Sequence, residues 1–216
     1  MNEKVILFQG DSITDCGRDK NNINSLGNGY CNMVGAALGA EYPYDFKFYN
    51  MGINGNRIVD IYARIKCDII NLKPDYMSIL IGINDCWHEY TRQNGVDAEK
   101  FEMIYGLLIE EIRAALPDLK IIILEPFVLP GSATVTDEEH PGRWEHFKNE
   151  CTKRRWAAKK IAEKYNLTFV PLQDIFTKVN ADAPKMGYWL ADGVHPTPAG
   201  HELIKREWLK VFEKIK

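Results

Sequence analysis

Long apolar runs are missing from this sequence. No stretch approaches the roughly 18 consecutive apolar residues of a membrane-spanning helix, so no membrane partner is expected. The opening Met1-Asn2-Glu3-Lys4 runs straight into Val5-Ile6-Leu7-Phe8, which is too short for the apolar core of a secretory leader and lacks a small-residue cleavage site. A cytoplasmic location is the expectation. Charge of one sign is scarce as well: with 26% charged residues and a formal net charge of -3, there is no basic excess to hold the chain on nucleic acid or anionic lipid. The five cysteines (Cys16, Cys31, Cys67, Cys86, Cys151) are odd in number and scattered, which speaks for reduced thiols and against a disulfide framework. They form no ligand cluster of recognised spacing with the five histidines, so neither a metal nor another cofactor is expected. Internal repeats and low-complexity tracts are absent, and so is any Gly-x-Ser-x-Gly, the signature of the strand-to-helix nucleophile elbow of α/β-hydrolases.

What is present suits one sizeable core. A chain of 216 residues that is 45% hydrophobic reads as a single domain over residues 1–216. Short continuous apolar runs at 5–8, 77–81, 121–124 and 167–170 are bounded by turn residues, the pattern of parallel strands covered on both faces. A fifth, alternating candidate at 46–49 belongs nearer a sheet edge. Phe101, Ile104, Leu108 and Ile112 recur at helical spacing before Pro117, and two further helices are expected over 144–165 and 198–215. The stretch Lys153-Arg154-Arg155 is assigned to the solvated face of the second. Strands alternating with helices imply a doubly wound α/β sandwich. The segment 130–142, bracketed by Pro-Gly pairs and without a period, is read as a surface connection, with a lid as the alternative.

In such sheets, ligands bind beyond the carboxyl ends of the strands. Gly10-Asp11-Ser12-Ile13-Thr14 follows the first run, Asn50-Met51-Gly52-Ile53-Asn54-Gly55-Asn56 the second, and Gly82-Ile83-Asn84-Asp85 the third, while Asp192-Gly193-Val194-His195-Pro196 precedes the last helix. A serine hydroxyl needs a base within reach, and the base needs an orienting partner. Asp192, three residues before His195, can address Nδ1 from one loop while Nε2 faces Ser12. Taken singly, each block has a structural reading: Gly-Asp-Ser is a helix cap, Asn84 a turn residue and Gly52 a bulge.

Together, Gly10-Asp11-Ser12, Gly52, Gly82-Ile83-Asn84-Asp85 and Asp192-Gly193-Val194-His195-Pro196 resemble the four blocks of the SGNH (GDSL) hydrolases, in the family's order. The resemblance implies a flavodoxin-like, three-layer α/β/α sandwich with a five-stranded parallel sheet. It implies Ser12, Asp192 and His195 as a catalytic triad, and an oxyanion hole built from the Ser12 and Gly52 amides and the Asn84 side chain. Gly10 to Arg18, the Gly-Ile-Asn-Asp-x-Trp stretch ending at Trp87 and His195-Pro-x-x-Ala-Gly-His201 look most like the acetylxylan esterase branch, which implies an acetylated sugar or oligosaccharide as substrate. That branch includes homo-oligomers, although nothing in the sequence marks an interface. Trp87 and Tyr90 are candidates for an aromatic wall against the substrate, with core packing as their other reading. Asp11 is a further candidate contact, with a loop-bracing or capping carboxylate as its other reading; Asp85 is read as structural and His201 as packing or capping. Cys16 and Cys86 are weak candidates for a thiol nucleophile. The competing functions are a lysophospholipase or thioesterase of the same family and a non-catalytic carbohydrate-binding protein.

Overall fold

Successive side chains of a strand point to opposite faces of its sheet. Along the first strand Ile6 and Phe8 enter one apolar layer and Leu7 the other, all three fully buried. The computed structural model describes residues 3–216. Its sheet consists of β1 (Lys4–Gly10), β2 (Phe46–Asn50), β3 (Tyr76–Leu80), β4 (Lys120–Leu124) and β5 (Thr168–Val170). All pairs are parallel, in the order β2-β1-β3-β4-β5. Every strand thus falls on an expected run, and the alternating run at 46–49 is an edge strand.

Helices α2 (Tyr30–Glu41) and α9 (Pro198–Phe212) cover one face, where Trp208 packs on Phe8 with ring centroids 5.6 Å apart. Helices α3 (Ile58–Ala63), α6 (Ala98–Ala115) and α7 (Arg143–Lys164) cover the other through Ile58, Ile61, Leu108, Ile112, Ala158 and Ile161. Each fully buried aliphatic or aromatic side chain of this kind contributes roughly 1.5–3 kcal/mol. Asp97 starts α6 by accepting from the Lys100 N–H at 2.9 Å. Thr197 caps α9 ahead of Pro198, whose missing N–H costs nothing at the first helical position.

The remaining α-helices are α1 (Ser12–Asp15), α4 (Ile65–Asp68), α5 (Ile83–Arg92) and α8 (Leu172–Ala181), with one 3-10 turn at Ile70–Leu72. One expectation fails: Arg154 is 1% exposed rather than solvated. Helix α7 packs between α5 and α6, and the Arg154 guanidinium is held there by Glu150 and the Val96 carbonyl. Among the described residues no helix is long and apolar enough to cross a membrane.

The chain passes from β1 to β2 on one side and then to β3 on the other, so the strand order reverses at β1. Loops diverge at such a switch point and leave a crevice at the carboxyl ends of the strands. Ser12 opens α1 directly after β1, and Asn84 lies in the first turn of α5 directly after β3.

Candidate active site

Ser12 owes its place to Asp11, whose carboxylate accepts from the Ile13 N–H at 3.0 Å and caps the one-turn helix α1. Asp11 is 1% exposed and among the described residues its second carboxylate oxygen has no partner, so it lies beneath the site and cannot be the surface contact to substrate that its position suggested. Burial pushes its carboxyl up to about 7, against the Ile13 N–H and the charge of His195. Asp85 is equally buried and equally raised, to about 7, and braces the neighbouring loop by accepting from the Ile58 N–H at 3.1 Å.

The Asp192–His195 loop brings three groups into line. Ser12 Oγ lies 2.9 Å from His195 Nε2, and Nδ1 of the same ring lies 2.7 Å from Asp192 Oδ2. The other carboxylate oxygen, Oδ1, accepts from the His195 and Val194 N–H groups at 2.8 and 2.9 Å, which fixes the carboxylate against the ring. Burial works to raise the Asp192 carboxyl, but these bonds outweigh it and hold the group at about 2. An ionised Asp192 accepts from Nδ1–H and leaves Nε2 bare to accept from Ser12. The same bond raises the His195 pKa above its ordinary value, against partial burial.

The segment 129–134 supports this loop from below. Leu129 N–H donates to the Gly193 carbonyl and Ala133 N–H to the Asp192 carbonyl, each at 2.9 Å. Buried Thr134 ties the segment to itself by donating to the Leu129 carbonyl at 2.7 Å. The first part of the 130–142 connection is therefore the bed of the Asp192–His195 loop.

Gly52 does not face the crevice as an amide donor. Its N–H donates to Asn50 Oδ1 at 2.9 Å, and a Cβ there would stand 2.3 Å from the Asp15 backbone nitrogen. Gly52 is the point where β2's exit loop touches α1. Gly55, three residues on, has φ +80°, and among the described residues its N–H has no hydrogen-bond partner. The next residue, Asn56, accepts from Asn84 Nδ2 at 3.2 Å through its carbonyl, which aims the Asn84 amide along the same turn. The signal for Gly55 was in the sequence: Asn54-Gly55-Asn56 is turn chemistry that favours a left-handed glycine.

Trp87 stands beside the imidazole, its ring centroid 6.0 Å from that of His195 and 5.5 Å from Phe147. Tyr90, one turn along α5, packs on His146 and Phe147, with ring centroids 5.1 and 6.0 Å away. His201 is 4% exposed; its Nδ1 accepts from the Tyr30 N–H at 3.1 Å and its Nε2 lies 3.4 Å from Cys16 Sγ. Burial lowers its pKa to about 4, so it is a neutral packing residue at the start of α2. Burial raises the thiols of Cys16 and Cys86, which disfavours a thiolate at either. Among the described residues no three His, Cys, Asp or Glu side chains converge as metal ligands.

A hydroxyl, an imidazole and a carboxylate in series, set at the switch point of an α/β/α sandwich beside the Gly55 turn and the Asn84 amide, form the arrangement of a carboxylic-ester hydrolase. The chain belongs to the GDSL-like lipase/acylhydrolase family, whose model matches residues 8–203. It is 35% identical over 215 residues to the acetylxylan esterase of Geobacillus stearothermophilus, covering 95% of this chain and 92% of that one. A putative GDSL-like lipase from Parabacteroides merdae superposes with a TM-score of 0.88 at 35% identity, covering 97% of this chain and 95% of the other. The G. stearothermophilus acetylxylan esterase Axe2 superposes with a TM-score of 0.80 at 33% identity, with coverages of 97% and 95%. Crystal structures exist for catalytic mutants of Axe2 in which a serine, an aspartate and a histidine are each replaced by alanine.

Proposed function

We propose that the protein is a serine acetylesterase that removes acetyl groups from sugar or oligosaccharide esters through an acyl-enzyme. The observation that carries this reading is the continuous relay from Ser12 Oγ through His195 to Asp192, at 2.9 and 2.7 Å. Full-length similarity to acetylxylan esterase supports acetyl as the acyl group and an acetylated xylo-oligosaccharide as the alcohol side.

In this reading His195 Nε2 takes the Ser12 hydroxyl proton as Oγ attacks the ester carbonyl. Asp192 stabilises the imidazolium that forms. The carbonyl oxygen becomes an oxyanion, which receives hydrogen bonds from the Ser12 N–H, the Gly55 N–H and Asn84 Nδ2. Each such donor contributes roughly 2.7–4 kcal/mol to the transition state. The tetrahedral species collapses, the sugar oxygen leaves with the proton from Nε2, and acetyl remains on Oγ. Water then attacks the acyl-enzyme with its proton taken by His195, the bond to Oγ breaks as Nε2 returns that proton to Ser12, and acetate is released. Trp87, beside His195, forms one wall of the substrate crevice. Five unpaired cysteines suit a reducing compartment such as the cytoplasm.

The experiment is hydrolysis of acetylated xylo-oligosaccharides and of p-nitrophenyl acetate and octanoate by wild type and Ser12→Ala. Acetyl release that is lost in Ser12→Ala, with the acetate ester far preferred over octanoate, is the expected result. Equal rates for the two proteins would end the serine mechanism, and preference for octanoate would point to a lysophospholipase or thioesterase.

A further inference from the structure

Arg64 sits between α3 and α4, far along the chain from the Ser12, Asn84 and His195 loops, and none of the reacting groups is its direct partner. Its side chain is 13% exposed, and every N–H of its guanidinium has an acceptor. Nε donates to Asn56 Oδ1 at 2.9 Å. Nη1 donates to the Met51 carbonyl at 2.8 Å and to Asp68 Oδ2 at 2.6 Å. Nη2 donates to Gln9 Oε1 at 2.7 Å and to the Gly10 carbonyl at 3.4 Å. Asp68 supplies the counter-charge, and the other four acceptors belong to the two strand ends that form the crevice.

Those acceptors are placed where they matter. Gly10 and Gln9 end β1, two and three residues before Ser12, and Gln9 Oε1 also accepts from the Gly10 N–H at 3.0 Å. Met51 leaves β2, and Asn56 closes the Gly55 turn. Through its carbonyl, Asn56 then holds the Asn84 amide at 3.2 Å. One planar cation thus spans the loop that presents Ser12 and the turn that presents Gly55, and reaches Asn84 through a single intermediary.

We infer that Arg64 is the positioning residue of the oxyanion hole: its five-donor fork sets the spacing of the Ser12, Gly55 and Asn84 donors, and so acts on the transition state rather than on substrate binding. The inference rests on the oxyanion hole of the proposed function. Lysine carries the charge but presents a single point of donors in place of a rigid fork, so Arg64→Lys keeps the ion pair with Asp68 and loses the simultaneous grip on Asn56, Met51 and Gln9. Displacing a donor by a fraction of its bond length weakens stabilisation of the developing oxyanion while leaving the ground-state carbonyl almost unaffected.

The test is steady-state hydrolysis of an acetyl ester by Arg64→Lys, with active sites counted by fluorophosphonate labelling of Ser12, together with inhibition by a boronic acid that forms a tetrahedral adduct on Ser12. The expected result is kcat per labelled site lower by at least about tenfold, KM within about twofold, and a parallel loss of boronate affinity; deleting the Asn84 amide itself costs roughly 10²-fold. On an Asn84→Ala background the same exchange costs less, because the donor that Arg64 helps to aim is gone. An unchanged kcat per labelled site with only a lower Tm, or full additivity with Asn84→Ala, would overturn the inference. If Arg64→Lys does not fold, Asn56→Ala removes the Nε acceptor with Arg64 in place, and a wild-type kcat and boronate affinity in that variant overturns it equally. Ser12→Ala distinguishes the two levels: if it retains full activity the serine mechanism itself has failed, whereas dependence on Ser12 and Asn84 without dependence on Arg64 defeats only the positioning role.

Discussion

The Gly52 N–H donates to Asn50 Oδ1 at 2.9 Å, and Asn50 Nδ2 in turn donates to the Thr14 and Leu26 carbonyls at 2.6 and 2.9 Å. This pair locks β2's exit loop to the helix that carries Ser12. A methyl group at Gly52 would meet the Asp15 nitrogen at 2.3 Å and the Thr14 carbonyl carbon at 2.8 Å, both backbone atoms. Gly52→Ala is expected to destabilise by at least the roughly 1–3 kcal/mol of an overpacked core and to lose activity as α1 shifts. Gly55→Ala meets nothing nearer than His88 at 3.8 Å and carries only the left-handed backbone cost of roughly 1–2 kcal/mol. Thermal unfolding of the two variants gives the order; a smaller loss for Gly52→Ala than for Gly55→Ala would contradict it.

Asn84 offers one amide hydrogen to Asn56, and among the described residues the other has no acceptor. Asn84→Ala is expected to lower kcat by roughly 10²-fold with little change in KM, because the interaction is made with the oxyanion and not with the substrate carbonyl. A rise in KM at constant kcat would place Asn84 in ground-state binding instead.

The pH profile follows from His195, which must be neutral at Nε2 to accept the Ser12 proton. Its pKa is raised by Asp192, so kcat/KM rises with pH through a midpoint above the ordinary 6.5. Asp192→Asn removes the partner that raises it and the acceptor that fixes the tautomer. The acid limb is expected to move to lower pH while kcat falls by about 10⁴-fold, the scale of the same exchange in the template serine triad. An acid limb that stays in place in Asp192→Asn would mean another group titrates there.

Stability carries a second pH signature. Asp11 ionises at 3.8 in an unfolded chain but keeps its proton to about 7 when buried in the fold. Between those values the unfolded state has released a proton that the folded state retains, so this group makes stability fall as pH rises through that window, by roughly 1.4 kcal/mol per pH unit at most. Asp11→Asn removes the dependence. Denaturant unfolding from pH 4 to 8 is expected to show the variant gaining on wild type as pH rises, and a constant gap would reject the raised pKa. Asp192 contributes with the opposite sign: its stabilisation is present above 3.8 and is lost as pH falls through about 2.

His201 tests the separation of the two imidazoles. His201→Ala leaves the buried Tyr30 N–H without its acceptor, at a cost of roughly 1–3 kcal/mol, or about 2–12 °C in Tm at about 2–4 °C for each kcal/mol. Activity per labelled Ser12 is expected to remain within a few-fold of wild type. Loss of turnover at unchanged stability would move His201 into the catalytic apparatus.

Strands were legible because a sheet covered on both faces demands short, continuously apolar runs, and 5–8, 77–81 and 121–124 have no other reading at that length. Helix α2 was not legible: Gly35 and Gly39 interrupt it, and alanines blur the contrast between its faces. Arg154 was misplaced because a charged residue flanked by Lys153 and Arg155 looks solvated, and only the neighbouring α5 and α6 bury it. Gly52 misled for a related reason. Two glycines stand three residues apart in one loop, and which N–H is free depends on Asn50, a hydrogen bond that spacing alone does not reveal.

By itself the sequence determined the alternation of strands and helices, the strand-end placement of Ser12 and Asn84, and the pairing of Asp192 with His195, because each of these depends on residues close together along the chain. Tertiary structure decided what depends on distance through space. It brought Ser12 within 2.9 Å of an imidazole 183 residues away, set the 129–134 segment beneath that imidazole's loop, and gathered Gln9, Gly10, Met51 and Asn56 around one guanidinium. Hydrogen-bond geometry is satisfied or not within a few tenths of an ångström, and only the packed sheet and its helices fix positions that finely.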